Sequence, residues 1–131
     1  MIVVDSSALM AIIIGEPGSD AVAEIADRAE QLVIAAPTLT EALIVAAGRG
    51  LSRALDNLLG DLNLVIIPFD ETRALAAAAA YRIWGKGFAP AALNFGDCFA
   101  YALAKELSAP LLFVGNDFTQ TDITPALPPA A

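Results

Sequence analysis

The amino-acid sequence predicts an α/β fold built on a central parallel sheet. Four short apolar runs, rich in Val, Ile and Leu, are separated by segments whose apolar residues recur at helical spacing. Parallel strands need such crossover helices, and strands without polar alternation are typical of sheets covered on both faces. The length of 131 residues fits one compact domain, residues 1–131.

The first strand and the first two helices are expected in the opening 30 residues. The run IVVD at 2–5 predicts a strand, and Ser6 or Ser7 is suited to cap the helix that follows it. A turn cluster, Gly15-Glu16-Pro17-Gly18, ends that helix, and helical spacing then resumes over about 19–30.

A second strand is expected at 32–36, where the apolar run LVIAA ends at Pro37. Thr38 or Thr40 then opens a helix. Glu41 is expected about one turn into that helix, near the end of the strand that precedes it.

The middle of the chain predicts two further helices around a third buried strand. Leucines recur at helical spacing over 51–62, and the run LVIIPF at 64–69 follows. Asp70 is placed to cap an alanine-rich helix over about 71–84, and a polar loop covers 86–94.

The last predicted helix begins at Gly96-Asp97 and ends before Pro110. A fourth strand, LLFV at 111–114, leads into Gly115-Asn116-Asp117. The proline-rich tail at 125–131 is expected to be irregular.

Composition excludes several kinds of chemistry. The chain has no histidine, so Ser-His-Asp hydrolysis and histidine acid-base catalysis are excluded, and its one cysteine leaves too few ligands for an ordinary zinc site. No stretch has the roughly 18 uninterrupted apolar residues that a membrane helix needs, and no positive charge precedes the opening apolar run. We therefore expect a cytoplasmic protein whose chemistry uses carboxylates.

Four acids are expected near one edge of the sheet. Asp5 ends the first strand, Asp117 follows the fourth, and Glu41 and Asp97 lie in early turns of helices that begin there. Each acid alone has an ordinary explanation as a helix cap, a first-turn helix acid or a turn residue. Together, however, several desolvated carboxylates repel one another unless a cation compensates them.

An all-oxygen site favours a hard divalent ion. Mg²⁺, with Mn²⁺ as a substitute, commonly binds carboxylates and substrate phosphates, and can activate a water molecule without histidine. The formal net charge of −8 would otherwise oppose binding of a nucleic acid. Assigning four acids to a metal site halves that charge, so an acidic protein could still bind a phosphate.

Several motifs resemble those of PIN-domain ribonucleases, and specifically the VapC toxins of toxin-antitoxin pairs. The resemblance covers nearly the whole chain and is most specific in its C-terminal third. The motifs are Asp5-Ser6-Ser7-Ala8-Leu9, Glu41 in TLTEAL, LNFGDCFAYALAK from Leu93, and LLFVGNDFTQTDI from Leu111.

The resemblance implies a three-layer α/β/α fold with four to five short parallel strands. It also implies that the four acids form the metal pocket of a magnesium-dependent endoribonuclease toxin, in which Ser7 and Asn116 orient ligands and Asp122 is a further acid. The implied partners are RNA, a VapB-type antitoxin and a second copy of the chain. An apolar content of 57% independently favours a homodimer.

Two other classes of protein share part of this pattern. A receiver-like signalling module also places a phosphoacceptor Asp in an acidic Mg²⁺ pocket at the ends of strands. Receivers pair acids after the first strand and have a Lys after a late strand, whereas this chain has Asp5-Ser6-Ser7 and Gly115-Asn116-Asp117. A metal-dependent adhesion module needs D-x-S-x-S, and that pattern fails at Leu9.

Overall fold

The computed structural model describes residues 1–128. Within these residues the chain forms four strands and six helices in the predicted alternating order. They are β1 (Ile2–Val4), α1 (Ser6–Ile14), α2 (Ser19–Arg28), β2 (Leu32–Ala35), α3 (Ala36–Gly48), α4 (Ser52–Asp61), β3 (Leu64–Ile67), α5 (Glu71–Trp84), α6 (Phe95–Leu107) and β4 (Leu111–Leu112).

The strands form one parallel sheet in the order β3-β2-β1-β4. Val3 of β1 lies opposite Val33 of β2 on one side and Leu111 of β4 on the other. The chain adds strands outward from β1 in one direction and then returns to add β4 on the opposite side. The order of strands therefore reverses between β1 and β4, and in open α/β sheets the crevice beside such a reversal is the usual ligand site.

Helices cover both faces of the sheet, as predicted. On one face, α5 and α6 pack Ala77 and Leu103 against Val33 and Leu111. On the other face, the helices α1 to α4 pack residues such as Leu9 and Leu55 against Ile34. This arrangement is the expected three-layer α/β/α architecture, with four strands in the described part of the chain.

The prediction that the third strand is buried is wrong. β3 lies at the edge of the sheet, and Val65 and Ile66 are 44% and 51% exposed. An apolar run has the same appearance in an edge strand and in a central one, because strand order is set by the packing of the whole chain. The strand also ends at Ile67, before Pro68.

Several element boundaries differ from the prediction. Asp5, rather than Ser6 or Ser7, caps α1 and accepts the Ser7 N–H. Helix α3 begins at Ala36, before either threonine, and Pro37 lies in its first turn, where a missing N–H costs nothing. Asn94 caps α6 in a reciprocal capping box with Asp97, so that helix starts before Gly96.

The C-terminal segment is more ordered than predicted at its start. The Leu111 N–H donates to the Thr124 carbonyl at 2.9 Å, and the Ala126 N–H donates to the Leu111 carbonyl at 2.8 Å. Pro125 therefore bridges to β4 inside the tail that was predicted to be irregular, 125–131. The last three residues of that tail lie outside the described residues.

Candidate active site

Asp5 is the most deeply buried acid at the carboxyl edge of the sheet. It directly follows β1 and is only 3% exposed. Its Oδ2 accepts the Ser7 hydroxyl at 2.6 Å and the Ser7 N–H at 3.2 Å. Its Oδ1 is buried without a hydrogen-bond partner among residues 1–128. A buried carboxylate oxygen of this kind is costly unless a ligand or a cation approaches it.

Burial raises the pKa of Asp5 from 3.8 to about 6. The hydrogen bonds from Ser7 lower this pKa, while the nearby negative charge of Glu41 raises it further. The net rise means that desolvation and like charge outweigh these hydrogen bonds and a further one from the Ser6 backbone. The ionised form of Asp5 is therefore destabilised in the metal-free protein.

Ser7 links Asp5 to the loop after β4. Its hydroxyl donates to Asp5 and accepts the Val114 N–H at 3.0 Å. The Val114 N–H thus donates to a side chain of α1, two residues beyond the end of β4 at Leu112. One side chain thus fixes the two segments on either side of the strand-order reversal.

Glu41 lies in the second turn of α3 and is positioned by two residues from other elements. The Ser6 hydroxyl donates to Oε1 of Glu41 at 2.6 Å. A Cβ atom at Gly96 would collide with Oε2 and would lie 2.8 Å from Cδ of Glu41. Only a glycine at the start of α6 therefore leaves room for this carboxylate.

Sequence reasoning did not identify Ser6 and Gly96 as site residues. The sequence indicates Ser6 only as a candidate helix cap and Gly96 only as a helix start. Their positions directly before Ser7 and Asp97 were the one feature of the sequence that pointed to the site, because residues next to strand-end acids lie near the same crevice.

Asp97 is 6% exposed in the first turn of α6. Burial raises its pKa to about 7, and the charges of Asp117, Asp5 and Glu41 add to the rise, while the Asn94 N–H lowers it. The helix N-terminus and the capping box both favour a carboxylate at this position. The raised pKa shows that desolvation and the three neighbouring acids outweigh them.

The four predicted acids lie in one neighbourhood, because the charges of Asp117, Asp5 and Glu41 all contribute to the raised pKa of Asp97. Asp117 is exposed on the loop after β4, and its charge contributes to the raised pKa of Asp97. Within the described residues, however, no three acidic or cysteine side chains are arranged so that they could hold a metal ion as they stand. The acids are close enough to repel one another, and a bound cation would have to draw their oxygens together.

The three predicted supporting residues differ in their relation to this cluster. Ser7 contacts Asp5, and Asn116 directly precedes Asp117 on an exposed loop. Asp122 instead accepts hydrogen bonds from the Tyr101 hydroxyl and from Lys105. The structure therefore places Asp122 in a separate polar cluster along α6.

The raised pKa values predict that the metal-free protein becomes less stable as the pH rises. A carboxyl whose folded pKa exceeds its unfolded pKa stabilises the fold fully below the unfolded value and loses that contribution as the pH passes the folded value. For Asp5, with a folded pKa of about 6, the loss between pH 4.5 and 8 is roughly 2 kcal/mol.

Urea unfolding in EDTA at these two pH values measures this effect. Asp5→Asn keeps an oxygen that can accept from Ser7 but cannot ionise, so the variant is expected to lose less stability than the wild type over the same interval. An equal loss in both proteins would show that Asp5 does not carry the effect.

The fold is of the α/β/α class, with buried acids at the strand-order reversal, and sequence comparison identifies the family. The PIN domain family matches residues 2–123, and the chain belongs to that family. Within it, Ribonuclease VapC42 of Mycobacterium tuberculosis is 41% identical over 128 residues, which cover 95% of this chain and 98% of the relative. The family assignment removes the receiver and adhesion alternatives.

Solved structures show the same fold. VapC20 of Mycobacterium tuberculosis, described as a sarcin-ricin loop cleaving toxin, aligns with a TM-score of 0.76 at 13% identity over 95% of this chain and 97% of that one. A toxin-antitoxin complex from Klebsiella pneumoniae gives a TM-score of 0.70 at 17% identity over 93% of each chain. None of the helices within residues 1–128 is both long and apolar enough to cross a membrane.

Proposed function

We propose that this chain is a metal-dependent endoribonuclease, the toxin of a toxin-antitoxin pair. The carrying observation is that Asp5 and Asp97 are buried beside the strand-order reversal, where burial and the charges of neighbouring acids, Glu41 and Asp117 among them, raise the pKa of both. The VapC ribonucleases to which the chain is 41% identical supply the reaction class.

The residues present fit a hard divalent cation. The site offers carboxylate and hydroxyl oxygens, which Mg²⁺ and Mn²⁺ prefer, and the buried Oδ1 of Asp5 has no hydrogen-bond partner among residues 1–128. Asp5, Asp97 and Asp117 would hold the ion, with Glu41 beside them. When bound, the ion lowers the pKa of water and stabilises negative charge on phosphate oxygens.

The protein's own residues then divide the remaining work. Ser6 keeps the Glu41 carboxylate pointing into the crevice, where it can accept the proton of the attacking water. The Ser7 hydroxyl bridges Asp5 and the Val114 N–H, which fixes the two relative to each other. Asn116, at the exposed turn before Asp117, can donate a hydrogen bond from its side-chain NH2 to an RNA phosphate oxygen.

The implied protein partners follow from the same proposal. A VapB-type antitoxin would inhibit by placing a basic side chain on the acidic crevice, since Arg pairs well with carboxylates and excludes a metal. The homodimer and the cytoplasmic location expected from the sequence stay predictions. Exposed apolar side chains such as Ile44 and Phe95, at 67% and 76%, are surfaces that a second protein could cover.

Incubation with RNA tests the proposal. Purified protein is mixed with total cellular RNA in Mg²⁺, in Mn²⁺ or in EDTA, and the ends of the products are sequenced. We expect cuts at discrete internal positions with either metal and none in EDTA. Cleavage that persists in EDTA would contradict the proposal. So would RNA that stays intact in both metals when the protein is folded.

A further inference from the structure

The loop after β4 carries Asp117 at one end and Asp122 at the other, and it lies along one face of α6. Asp97, Tyr101 and Lys105 are spaced four residues apart on that helix, so their side chains share a face. The charge of Asp117 acts on Asp97, and Asp122 contacts the other two residues. Eight helical residues rise about 12 Å, which the five residues from Asp117 to Asp122 can span.

Asp122 is joined to α6 by two side-chain contacts. Its Oδ1 accepts from the Tyr101 hydroxyl and its Oδ2 accepts from Lys105 Nζ at 3.0 Å. Trp84 Nε1 in turn donates to the Tyr101 oxygen at 2.8 Å. Burial raises the pKa of Tyr101 to about 12, so the hydroxyl keeps its proton and donates it toward Asp122. We call Tyr101, Lys105 and Asp122 the α6 clasp.

Hydrogen-bonded turns connect the clasp to Asp117. The Thr119 hydroxyl donates to the Asn116 carbonyl at 2.8 Å, and the Thr121 hydroxyl donates to the Phe118 carbonyl at 2.7 Å. Phe118, between them, is buried in the core beside α6. The two turns overlap at Phe118 and Thr119, so hydrogen bonds join the segment from Asn116 to Thr121, which leads from Asp117 to Asp122.

We propose that Asp122 is a positioning residue that fixes the loop carrying Asp117 against the acidic site through the α6 clasp. Ser7 fixes the start of the same loop at Val114, so Asp117 is held from both sides. This inference rests on the proposed metal-binding function. It assigns Asp122 a role other than that of a further metal ligand.

Three variants separate positioning from ligation and from general stability. Asp122→Ala removes the clasp. Tyr101→Phe removes one of its donors while leaving every carboxylate in place. Glu106→Ala is the matched control. Glu106 also lies on α6, and its replacement breaks a bidentate ion pair with Arg73 of α5 without touching the loop.

Hydrogen exchange of residues 113–121 in metal-free protein reports the order of the loop, and Mn²⁺ titration followed by electron paramagnetic resonance reports metal affinity. In Asp122→Ala we expect about three- to tenfold faster exchange in this segment and about three- to tenfold weaker Mn²⁺ binding. Tyr101→Phe should shift both quantities in the same direction, and Glu106→Ala should change neither.

The outcomes distinguish failure of this inference from failure of the proposed function. A wild-type protein that binds no Mn²⁺ contradicts the proposed function and the inference with it. Wild-type binding that Asp122→Ala leaves unchanged overturns the inference alone. Weaker binding in Asp122→Ala without faster loop exchange, with Tyr101→Phe unaffected, would identify Asp122 as a ligand and would also overturn it.

Discussion

Asp97→Asn is expected to reduce metal-dependent RNA cleavage by at least about 100-fold while raising the stability of the metal-free protein above pH 7. Asn has the shape of Asp and can still accept the Asn94 N–H, so the cap of α6 is retained. It removes the buried charge that burial and three neighbouring acids destabilise. Activity and stability should therefore change in opposite directions.

Initial cleavage rates and urea unfolding at pH 8 measure the two effects. Asp56→Asn, an exposed acid on α4, is the matched control and should resemble the wild type in both measurements. Asp97→Asn protein that cleaves RNA at the wild-type rate in Mg²⁺ would remove Asp97 from the catalytic site.

Gly96→Ala is expected to lower cleavage by roughly 10- to 100-fold without destabilising the fold. The added Cβ would collide with the carboxylate of Glu41, and the end of that flexible side chain can move away at little cost. The variant should therefore fold but displace Glu41 from its place beside Ser6. Ala in a helix also has a higher intrinsic propensity than Gly, by about 1 kcal/mol in a helix interior and less in the first turn.

Gly60→Ala provides the control for this prediction. Gly60 is also helical, in α4, and a Cβ there meets nothing within 4 Å among the described residues. This variant should gain a similar helix propensity and keep full activity. Equal activity in Gly96→Ala and the wild type would show that the position of the Glu41 carboxylate is unimportant.

Sequence reasoning predicted the fold class because apolar runs and helical spacing are local signals. It placed all four strands and all six helices within the described residues, with errors mostly at their boundaries. It could not identify β3 as an edge strand, because Val65 and Ile66 look the same in a covered strand. Strand order depends on which helices pack on which face, and that is a property of the whole chain.

The four acids were predictable because they follow strands or open helices at one edge of the sheet. The residues that position these acids were less predictable. The contact between Ser6 and Glu41 joins residues 35 positions apart, and the room that Gly96 leaves for Glu41 depends on how α3 and α6 approach each other. Asp122 was expected to join the acids, and only the fold shows that Tyr101 and Lys105 bind it instead.

Anomalous diffraction from crystals containing Mn²⁺, collected near the manganese absorption edge, tests the central claim most directly. The account predicts a peak at the strand-order reversal, with carboxylate oxygens of Asp5 and Asp97 about 2.2 Å from the ion. It also predicts that the peak is absent in Asp97→Asn crystals treated identically. A peak elsewhere, or a wild-type crevice without a peak at saturating Mn²⁺, would contradict it.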